Sequence, residues 1–327
     1  MNNLNLSNPI KITEQVWGDE IMPIVTIFSW TFNHKDFIKQ SIDSILMQKT
    51  TFPIEIIIHD DASNDGTKEI ILDYQKKYPF LFKNILQTEN QWSQGKSVMA
   101  ALFEKPRGKY IALTHGDDYW TDPLKLQIQV DFLENNENYG AVFTDFTKYY
   151  QDSNKTLVSF VNNQLNVHDS HDISRNNFFS QELRKLRTLT GVYRSEYLLN
   201  FNAIHEFAAY DTQMIFLTLQ KSKIRYLNIN TGVYRILKES ASHSSTFSRK
   251  QLFLETYVEL LTIIRKSFPL GKGDGRYISK TILMSKLRKA AHEKKQLKVF
   301  RYVFILVTQF HWSRNILRNI KYAFRSS

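Results

Sequence analysis

The chain has 327 residues, a formal net charge of +11 and no cysteine. Hydrophobic residues make up 42% and aromatic residues 13% of it, which excludes a disordered chain, and the lack of cysteine excludes disulfides and thiolate metal sites. The N-terminus has neither the basic start nor the apolar core of a signal peptide, and no run of about 18 apolar residues predicts a membrane span. We therefore expect a soluble, cytoplasmic protein.

Predicted strands and helices alternate along the first half of the chain. Apolar runs predict strands at residues 24–30, 54–61, 82–87, 110–114 and 141–146. Helical spacing of apolar residues predicts helices at residues 37–46, 67–77, 97–103 and 123–134. This alternation requires right-handed crossovers, so we expect an α/β fold with a mostly parallel sheet. In such sheets, ligands bind beyond the carboxyl ends of the strands.

Polar and aromatic side chains follow three of these predicted strands. They are Trp30, Phe32 and Asn33 after the first, Asp60 and Asp61 after the second, and Asp117 and Asp118 after the fourth. If these strands are neighbours, their ends line one crevice. Carboxylates there suit a hard divalent cation such as Mg²⁺ or Mn²⁺ bridging to phosphate oxygens. Aromatic faces with carboxylates suit a nucleobase and ribose.

Two common nucleotide-binding motifs are absent. The first predicted strand is followed by WTFNHKDF, with no glycine, so the dinucleotide fingerprint GxGxxG does not occur there. Gly95, Lys96 and Ser97 end like a phosphate loop, but Asn90 stands where its first glycine is required. We therefore expect a metal held on acids, rather than a glycine-rich loop, to neutralise the phosphates.

Three segments in this order resemble the family-2 inverting glycosyltransferases, which have the GT-A fold. They are IVTIFSWTFNHKDFIKQSIDSILMQ, IEIIIHDDASNDGT and GKYIALTHGDDYWTDPLKLQIQVDFLE. The resemblance covers residues 22–150 and continues more weakly through TGVYRSEYL, AAYDTQMIF and TGVYRI. It implies a GT-A domain over residues 20–240, with a Rossmann-like, mostly parallel sheet flanked by helices. A helical, strongly basic C-terminal region would follow over residues 241–327.

The resemblance implies roles for individual residues. By similarity, the nucleotide-sugar is bound by Trp30, Phe32, Asn33, Asp61, Lys96 and Asp117. Asp117 and Asp118 occupy the DxD-type motif that holds a divalent metal, Mn²⁺ or Mg²⁺, and Asp211 matches the general base. Asp60 is expected to hold its own loop. One departure is His115, where the family commonly has Asp or Glu; an imidazole there favours Mn²⁺ over Mg²⁺ or weakens the metal dependence.

Purely structural interpretations of the same residues stay open. An acid pair after a strand is also typical of a helix N-cap or an Asx-turn, and Asp211 could cap the helix that follows it. The rings of Trp30 and Phe32 would equally fit a hydrophobic core. The case for function depends on two acid pairs on one sheet together with the family pattern.

The implied function is transfer of one sugar from a nucleotide-sugar, expected to be a UDP-sugar, to a glycan or lipid-linked acceptor. The metal would offset charge on the leaving diphosphate, and the base would deprotonate the attacking hydroxyl. By analogy with the family, the pathway is surface polysaccharide or lipopolysaccharide synthesis. Two alternatives remain, a non-catalytic nucleotide-sugar-binding scaffold and a sugar nucleotidyltransferase. The absence of a basic, glycine-rich loop after the first strand argues against the second alternative.

The positive charge is concentrated in the C-terminal region. Residues 271–327 contain 14 Lys and Arg against two acids, whereas residues 1–270 contain 29 basic and 30 acidic residues. Apolar spacing predicts helices at 251–267, 278–291 and 297–310, with a flexible hinge at GKGDGR, residues 271–276.

Basic amphipathic helices favour an anionic membrane surface, which would place the protein on the inner face of the membrane. The alternative is packing on the body or on a second subunit, which would give a homo-oligomer. No nucleic-acid partner is expected, because no recognised module is present.

Overall fold

The computed structural model describes residues 6–18, 21–94, 96, 106–165, 169–179, 186–199, 210–238 and 247–310. The chain forms two compact units. The first unit comprises Met1–Ile173, Lys185–Asn202 and Asp211–Lys238, and the second comprises Ser174–Arg184, Ala203–Tyr210 and Glu239–Ser327. Each unit is described below by itself.

The described elements alternate as predicted in the first part of the chain. The strands are β1 (Ile10–Lys11), β2 (Val25–Thr31), β3 (Lys49–Thr50), β4 (Ile54–Asp60), β5 (Ile85–Leu86), β6 (Tyr110–His115), β7 (Tyr119–Trp120), β8 (Tyr139–Tyr150), β9 (Lys155–Leu157), β10 (His171–Asp172), β11 (Val192–Arg194) and β12 (Lys223–Ile236). The helices are α1 (Lys35–Leu46), α2 (Thr67–Lys77), α3 (Lys125–Glu134), α4 (Phe160–Leu165), α5 (Ser195–Leu199), α6 (Tyr210–Lys221), α7 (Phe247–Ser267), α8 (Lys272–His292) and α9 (Gln296–Phe310).

A ten-stranded mixed sheet forms the centre of the first unit. Its main path runs β10-β12-β8-β11-β6-β2-β4-β5, with β7 paired to β12 and β9 paired to β8. Strands β6, β2, β4 and β5 are parallel to one another, so the predicted crossovers are confirmed. Strand β11 is antiparallel to both of its neighbours, β6 and β8, and makes the sheet mixed. The predicted α/β class is correct.

The central strands are rich in apolar residues because both faces of the sheet are covered. Every residue of β4 is buried, and so is every residue of β2 except Trp30. Ile27, Ile56 and Ile58 join the side chains of Ile38 and Ile42 from α1 in one large core cluster. The carboxyl ends of β2, β4 and β6 are thereby fixed next to one another.

Most predicted bounds agree with the structure to within about two residues. The predicted strand 82–87 is reduced to β5, with an isolated bridge between Ile56 and Phe82 before it. Strand β8 extends to Tyr150, four residues beyond the predicted end at 146. The helix predicted at 97–103 lies outside the described residues.

The second unit is built from α7, α8 and α9. The prediction of a flexible hinge at 271–276 is wrong, because α8 begins at Lys272 and runs through the glycines. The N–H of Gly275 donates to the carbonyl of Gly271, and the buried Asp274 places a carboxylate in the first turn, where the helix dipole favours it. None of the helices in the described ranges is long and apolar enough to cross a membrane.

Candidate active site

The three strand ends predicted to share a crevice are adjacent. In the register of the sheet, Trp30 of β2 is paired with His59 of β4 on one side and with His115 of β6 on the other. The half-buried Trp30 ring lies 4.9 Å from the Phe28 ring and 5.5 Å from the His115 ring. Trp30 is therefore part of the floor of the crevice as well as a predicted base contact.

Hydrogen bonds of Asn33 and Asp60 connect the loop that follows β2 to the loop that follows β4. Asn33 has a left-handed backbone (φ 54°), its N–H donates to Ser63 Oγ (2.8 Å), and its side-chain oxygen accepts from the N–H of Asn64 (3.0 Å). Both carboxylate oxygens of Asp60 accept hydrogen bonds from Ser63, one from its N–H and one from its hydroxyl. Asp60 thus holds its loop, in line with the role expected for it.

Asp61 orders the loop that leads towards Lys96. Its buried carboxylate accepts the main-chain N–H of Gln91 at Oδ1 (2.7 Å) and that of Trp92 at Oδ2 (3.1 Å). Each oxygen keeps a further lone pair for a ligand. Lys96 is exposed, and its N–H donates to the carbonyl of Gln91.

Two large aromatic side chains are exposed near these loops. Phe32 is 43% exposed and Trp92 is 50% exposed. Sequence reasoning singled out Phe32 but missed Trp92, whose signal was an isolated aromatic residue in a polar stretch, ENQWSQ. Exposed rings of this kind provide stacking surfaces for a planar ligand.

Asp117 and Asp118 lie between β6 and β7 and have different surroundings. Asp118 is 2% exposed; its Oδ1 accepts the N–H of Arg235 (2.9 Å), and its Oδ2 lies 3.6 Å from His115 Nδ1. Asp117 is half-buried, and its carboxylate has no hydrogen bond or ion pair to any other described residue. One carboxylate is thus fixed and the other is open to a ligand.

His115 and Asp118 face each other, and each affects the pKa of the other. Burial and the neighbouring Asp117 raise the pKa of Asp118 to about 6. Burial lowers the pKa of His115, but the carboxylates of Asp118, Asp117 and Asp211 outweigh it and raise that pKa to about 9. The side chain of His115 is 36% exposed. The main-chain carbonyl of His115 accepts a hydrogen bond from the hydroxyl of Ser41 (3.0 Å). His115 is therefore a strand-end residue paired with an acid.

Arg235 in β12 is a second site residue that sequence reasoning missed. Its Nε donates to the main-chain carbonyl of Asp117 (2.8 Å), one Nη donates to Gln40 (2.6 Å) and the other to Gln151. The side chain is surrounded by the rings of Phe37, Tyr119 and Tyr149, whose centroids lie 4.8, 5.5 and 5.5 Å from the guanidinium carbon. The available signal was TGVYRI, which places an arginine inside a strand pattern.

Asp211 lies close enough to His115, which faces Asp118, to act on it electrostatically. It is half-buried in the first turn of α6 and is close enough to His115 and Tyr193 to raise the pKa of both groups. A carboxylate in the first turn of a helix is also favoured by the helix dipole. The position of Asp211 is therefore compatible with a general base and with a residue that only stabilises the start of the helix. Its role as a base stays a prediction.

The residues present fit a divalent cation that is shared with a substrate. No group of three or more His, Asp or Glu side chains that could hold a metal occurs in the part of the chain that the structure describes. Asp117 offers an open carboxylate, and Asp118 adds a second one beside it. Mg²⁺ is typically bound by one or two carboxylates together with substrate phosphates and water, which matches this small donor set.

A family model and curated relatives agree on the class of protein. The model described as glycosyl transferase family 2 matches residues 26–207, more than half of the chain. An uncharacterised protein of Mycobacterium tuberculosis is 41% identical over 133 residues, which are 40% of this chain and 37% of that protein. The Escherichia coli enzyme named UDP-Glc:alpha-D-GlcNAc-diphosphoundecaprenol beta-1,3-glucosyltransferase is 33% identical over 129 residues, covering 39% of this chain and 47% of the enzyme. The chain thus spans less than half of either relative.

Solved structures share the fold over nearly the whole chain. Staphylococcus aureus TarS, solved with UDP-GlcNAc, superimposes with a TM-score of 0.62 at 15% identity and covers 92% of this chain and 87% of its own. The mannosyltransferase PcManGT of Pyrobaculum calidifontis was solved with GDP-Man and Mn²⁺. It superimposes with a TM-score of 0.55 at 16% identity, and the match covers 96% of this chain and 89% of PcManGT. At such low identity these neighbours show the fold, which is GT-A.

Proposed function

Because the chain belongs to glycosyl transferase family 2 and has the GT-A fold, we propose that it transfers one sugar, with inversion, from a nucleotide-sugar to a hydroxyl acceptor. One observation carries this proposal: Asp61 and the pair Asp117 and Asp118 follow β4 and β6, the two parallel strands that flank β2, and Asp211 is close enough to His115 to affect its charge. Two acid-bearing strand ends can bind a nucleotide and its diphosphate together.

The proposed donor is a UDP-sugar. Asp61 and the exposed rings of Phe32 and Trp92 supply hydrogen-bond acceptors and stacking surfaces at the base end of the crevice. Lys96, on the loop that Asp61 orders, adds a positive charge near the phosphates. The names of the E. coli relative and of the TarS complex both contain a UDP-sugar, which favours uridine over guanosine.

A divalent cation would be held by Asp117 and Asp118. When bound, it offsets the negative charge that grows on the leaving diphosphate. The PcManGT complex contains Mn²⁺, which supports the same choice here. His115 beside Asp118 replaces a further carboxylate and lowers the negative charge of the site.

Asp211 is the proposed base. Its carboxylate takes the proton from the acceptor hydroxyl while the hydroxyl oxygen bonds to the anomeric carbon, and the bond from that carbon to the phosphate oxygen breaks. We propose a glycan or lipid-linked acceptor in surface polysaccharide or lipopolysaccharide synthesis. The name of the E. coli relative, which contains a diphosphoundecaprenol acceptor, supports this choice.

The test is thermal unfolding with UDP, GDP, CDP and ADP, each with and without Mn²⁺. We expect UDP to raise the Tm of the wild type, with an additional Mn²⁺-dependent rise that Asp118→Ala abolishes. Asp172→Ala removes a surface acid that pairs with Arg225 and should leave the response unchanged. No response to any nucleotide would contradict the proposal. Binding without release of UDP from UDP-sugars would favour the scaffold, and release of pyrophosphate would favour the nucleotidyltransferase.

We further propose that the second unit attaches to anionic membranes through one face of α9. Leu297, Phe300 and Phe304 on that face are 88%, 57% and 69% exposed. Their spacing of three and four residues places them on one side of the helix. The opposite side packs through Val299 and Leu306 on a cluster of α8 residues.

Exposed basic residues flank this face. They are Lys294, Lys295, Lys298 and Arg301. Aromatic and aliphatic side chains beside Lys and Arg suit the boundary between headgroups and acyl chains of an anionic bilayer. Each basic residue near such a surface adds on the order of 1 kcal/mol to binding. A second copy of the same chain would repel this face, because residues 271–327 hold 14 basic and two acidic residues.

Co-sedimentation with vesicles tests this attachment. We expect binding to phosphatidylcholine vesicles that contain phosphatidylglycerol, weaker binding at high salt, and little binding to phosphatidylcholine alone. The double substitution Leu297→Asp and Phe304→Asp should abolish it, whereas Phe80→Asp, which changes a 79% exposed ring in the first unit, should not. Equal binding of all variants, or a dimer in solution that the double substitution dissociates, would refute the proposal.

A further inference from the structure

The structure assigns Arg235 as the positioning residue of the segment that carries Asp117 and Asp118. This inference rests on the proposed function, in which that segment binds a cation and the diphosphate. Arg235 itself contacts neither substrate nor cation in the arrangement that follows. It acts by fixing the main chain between the two acids.

Arg235 holds the acid pair by two independent bonds. Its main-chain N–H donates to Asp118 Oδ1 (2.9 Å), and its side-chain Nε donates to the main-chain carbonyl of Asp117 (2.8 Å). One bond reaches the side chain of Asp118, and the other reaches the carbonyl of the Asp117–Asp118 peptide itself. They fix the carboxylate of Asp118 and the backbone of Asp117, and they leave the carboxylate of Asp117 open to a ligand.

The guanidinium is itself held from two other elements. Gln40 of α1 accepts from one Nη (2.6 Å), and Gln151, directly after β8, accepts from the other. Both acceptors are neutral, and no acid forms a salt bridge with Arg235 among the residues that the structure describes. The acid segment is thus connected through one side chain to a helix and to two strands far apart in sequence.

The buried guanidinium of Arg235 is stabilised by neutral partners. The residue is 7% exposed, and burying a guanidinium without a direct counter-ion costs free energy. Three aromatic rings around it recover part of that cost through cation–π contacts. Hydrogen bonds from the guanidinium to Gln40, Gln151 and the Asp117 carbonyl satisfy its donors.

This geometry requires an arginine. The Nε and the two Nη groups each donate to a different partner, and only a planar fork reaches all three at once. Arg235→Lys keeps the charge and loses the fork. The main-chain bond to Asp118 survives any substitution at residue 235 other than proline, so the variant isolates the contribution of the side chain.

Hydrogen exchange on the ligand-free protein is the first experiment. We expect Arg235→Lys to speed amide exchange over residues 116–120 while the rest of the sheet stays unchanged. Arg225→Lys is the matched control, because Arg225 lies in the same strand and pairs with the surface residue Asp172 (3.0 Å). Unchanged exchange over 116–120 in Arg235→Lys would overturn the inference, whether or not the protein binds nucleotides.

Binding of Mn²⁺ with UDP is the second experiment. We expect Arg235→Lys to weaken Mn²⁺-dependent UDP binding by about 10- to 100-fold, the loss typical of residues that orient metal ligands. Metal-independent UDP binding should change little. A purely structural role would lower the Tm but leave the Mn²⁺-dependent increment intact, and that result would refute the assignment.

A milder variant covers the case in which Arg235→Lys does not fold. Gln40→Met removes one anchor of the guanidinium at an exposed position of α1 and should show a smaller effect in the same direction. If wild-type protein fails to bind any nucleotide, the proposed function fails. The exchange experiment then still decides whether Arg235 positions the loop.

Discussion

The two acids after β6 are adjacent in sequence but differ in what they contact. The carboxylate of Asp118 is bonded to the N–H of Arg235 and faces His115, so it belongs to the packed structure. The carboxylate of Asp117 contacts no polar partner within the described part of the chain. We therefore expect substitution of Asp117 to affect ligand binding alone, and substitution of Asp118 to affect stability as well.

Asp117→Asn should affect ligand binding without affecting folding. We expect the free energy of unfolding to change by less than about 0.5 kcal/mol, as for other substitutions that break no packed contact. The Mn²⁺-dependent part of UDP stabilisation should disappear, because a neutral amide is a poor ligand for a hard cation. Denaturant unfolding and thermal shift measure the two effects. The exposed Asp152→Asn serves as control, and a preserved Mn²⁺ response in Asp117→Asn would count against the metal role.

Asp61→Asn should instead disturb the local structure and weaken UDP binding whether or not Mn²⁺ is present. Its carboxylate accepts the N–H groups of both Gln91 and Trp92, and an asparagine would place its NH₂ group against one of them. An unsatisfied main-chain donor costs about 1–3 kcal/mol. We expect faster amide exchange at residues 91 and 92 and weaker UDP binding both with and without Mn²⁺. Weakening that appears only with Mn²⁺ would show that Asp61 acts at the metal rather than at the base.

At the scale of single elements, α3 contains an unusual buried charge near its start. Lys125 is completely buried; its Nζ donates to Gln129 (2.6 Å) and lies 4.6 Å from the centroid of the Trp120 ring. Gln129 in turn donates to the carbonyls of Val142 and Thr190. Burial lowers the pKa of Lys125 to about 7, although Asp122 opposes the change. A positive charge at a helix N-terminus is disfavoured as well.

Lys125 should make stability depend on pH in a defined direction. Its pKa falls from 10.5 in the unfolded chain to about 7 in the folded protein, so between these values the unfolded state binds more protons. The free energy of unfolding therefore rises with pH through this window. We expect the wild type to gain stability between pH 7.5 and 9.5 relative to Lys125→Met, measured by denaturant unfolding. Parallel pH profiles for the two proteins would disprove the assignment.

Long apolar elements were predictable from the sequence, and short or non-local ones were not. Strands β2, β4 and β6 are rich in apolar residues, so their existence followed from pattern alone. Strand β11 has three residues, too few for a periodic signal, and its antiparallel pairing depends on strands far away in sequence. The glycines at 273 and 275 suggested a hinge, but helical hydrogen bonds and the buried Asp274 outweigh their low propensity.

The same distinction applies to the candidate site. Asp61, Asp117 and Asp118 directly follow strands, so their proximity could be inferred once the strands were assumed to be neighbours. Arg235 contacts Asp117 from 118 positions away in the chain. Nothing in the local sequence of Lys125 shows that α3 buries its first residue. Long-range contacts of this kind are visible only in the folded structure.

At the scale of the whole molecule, charge is distributed unevenly along the chain. Residues 1–270, which contain every predicted nucleotide-binding residue, are close to neutral with 29 basic and 30 acidic residues. The excess of positive charge lies beyond residue 270, largely on α8 and α9 and the residues between them. A neutral body does not repel acidic donors, and a basic tail attracts anionic surfaces at a distance. Attachment and donor binding should therefore be separable by mutation.

Reversing charge at Lys294, Lys295 and Lys298 tests this separation. All three are exposed, and the only ion pair that they form with the described residues, between Lys295 and Glu293, lies at the surface, so the triple substitution to Glu should fold with at most a small fall in Tm. We expect binding to vesicles that contain phosphatidylglycerol to be lost, because six units of charge are reversed near the surface. The thermal shift with UDP and Mn²⁺ should stay at the wild-type value, because every residue proposed to bind the donor belongs to the first unit. A reduced UDP response would mean instead that these lysines act on the donor, and the division of charge between attachment and donor binding would be wrong.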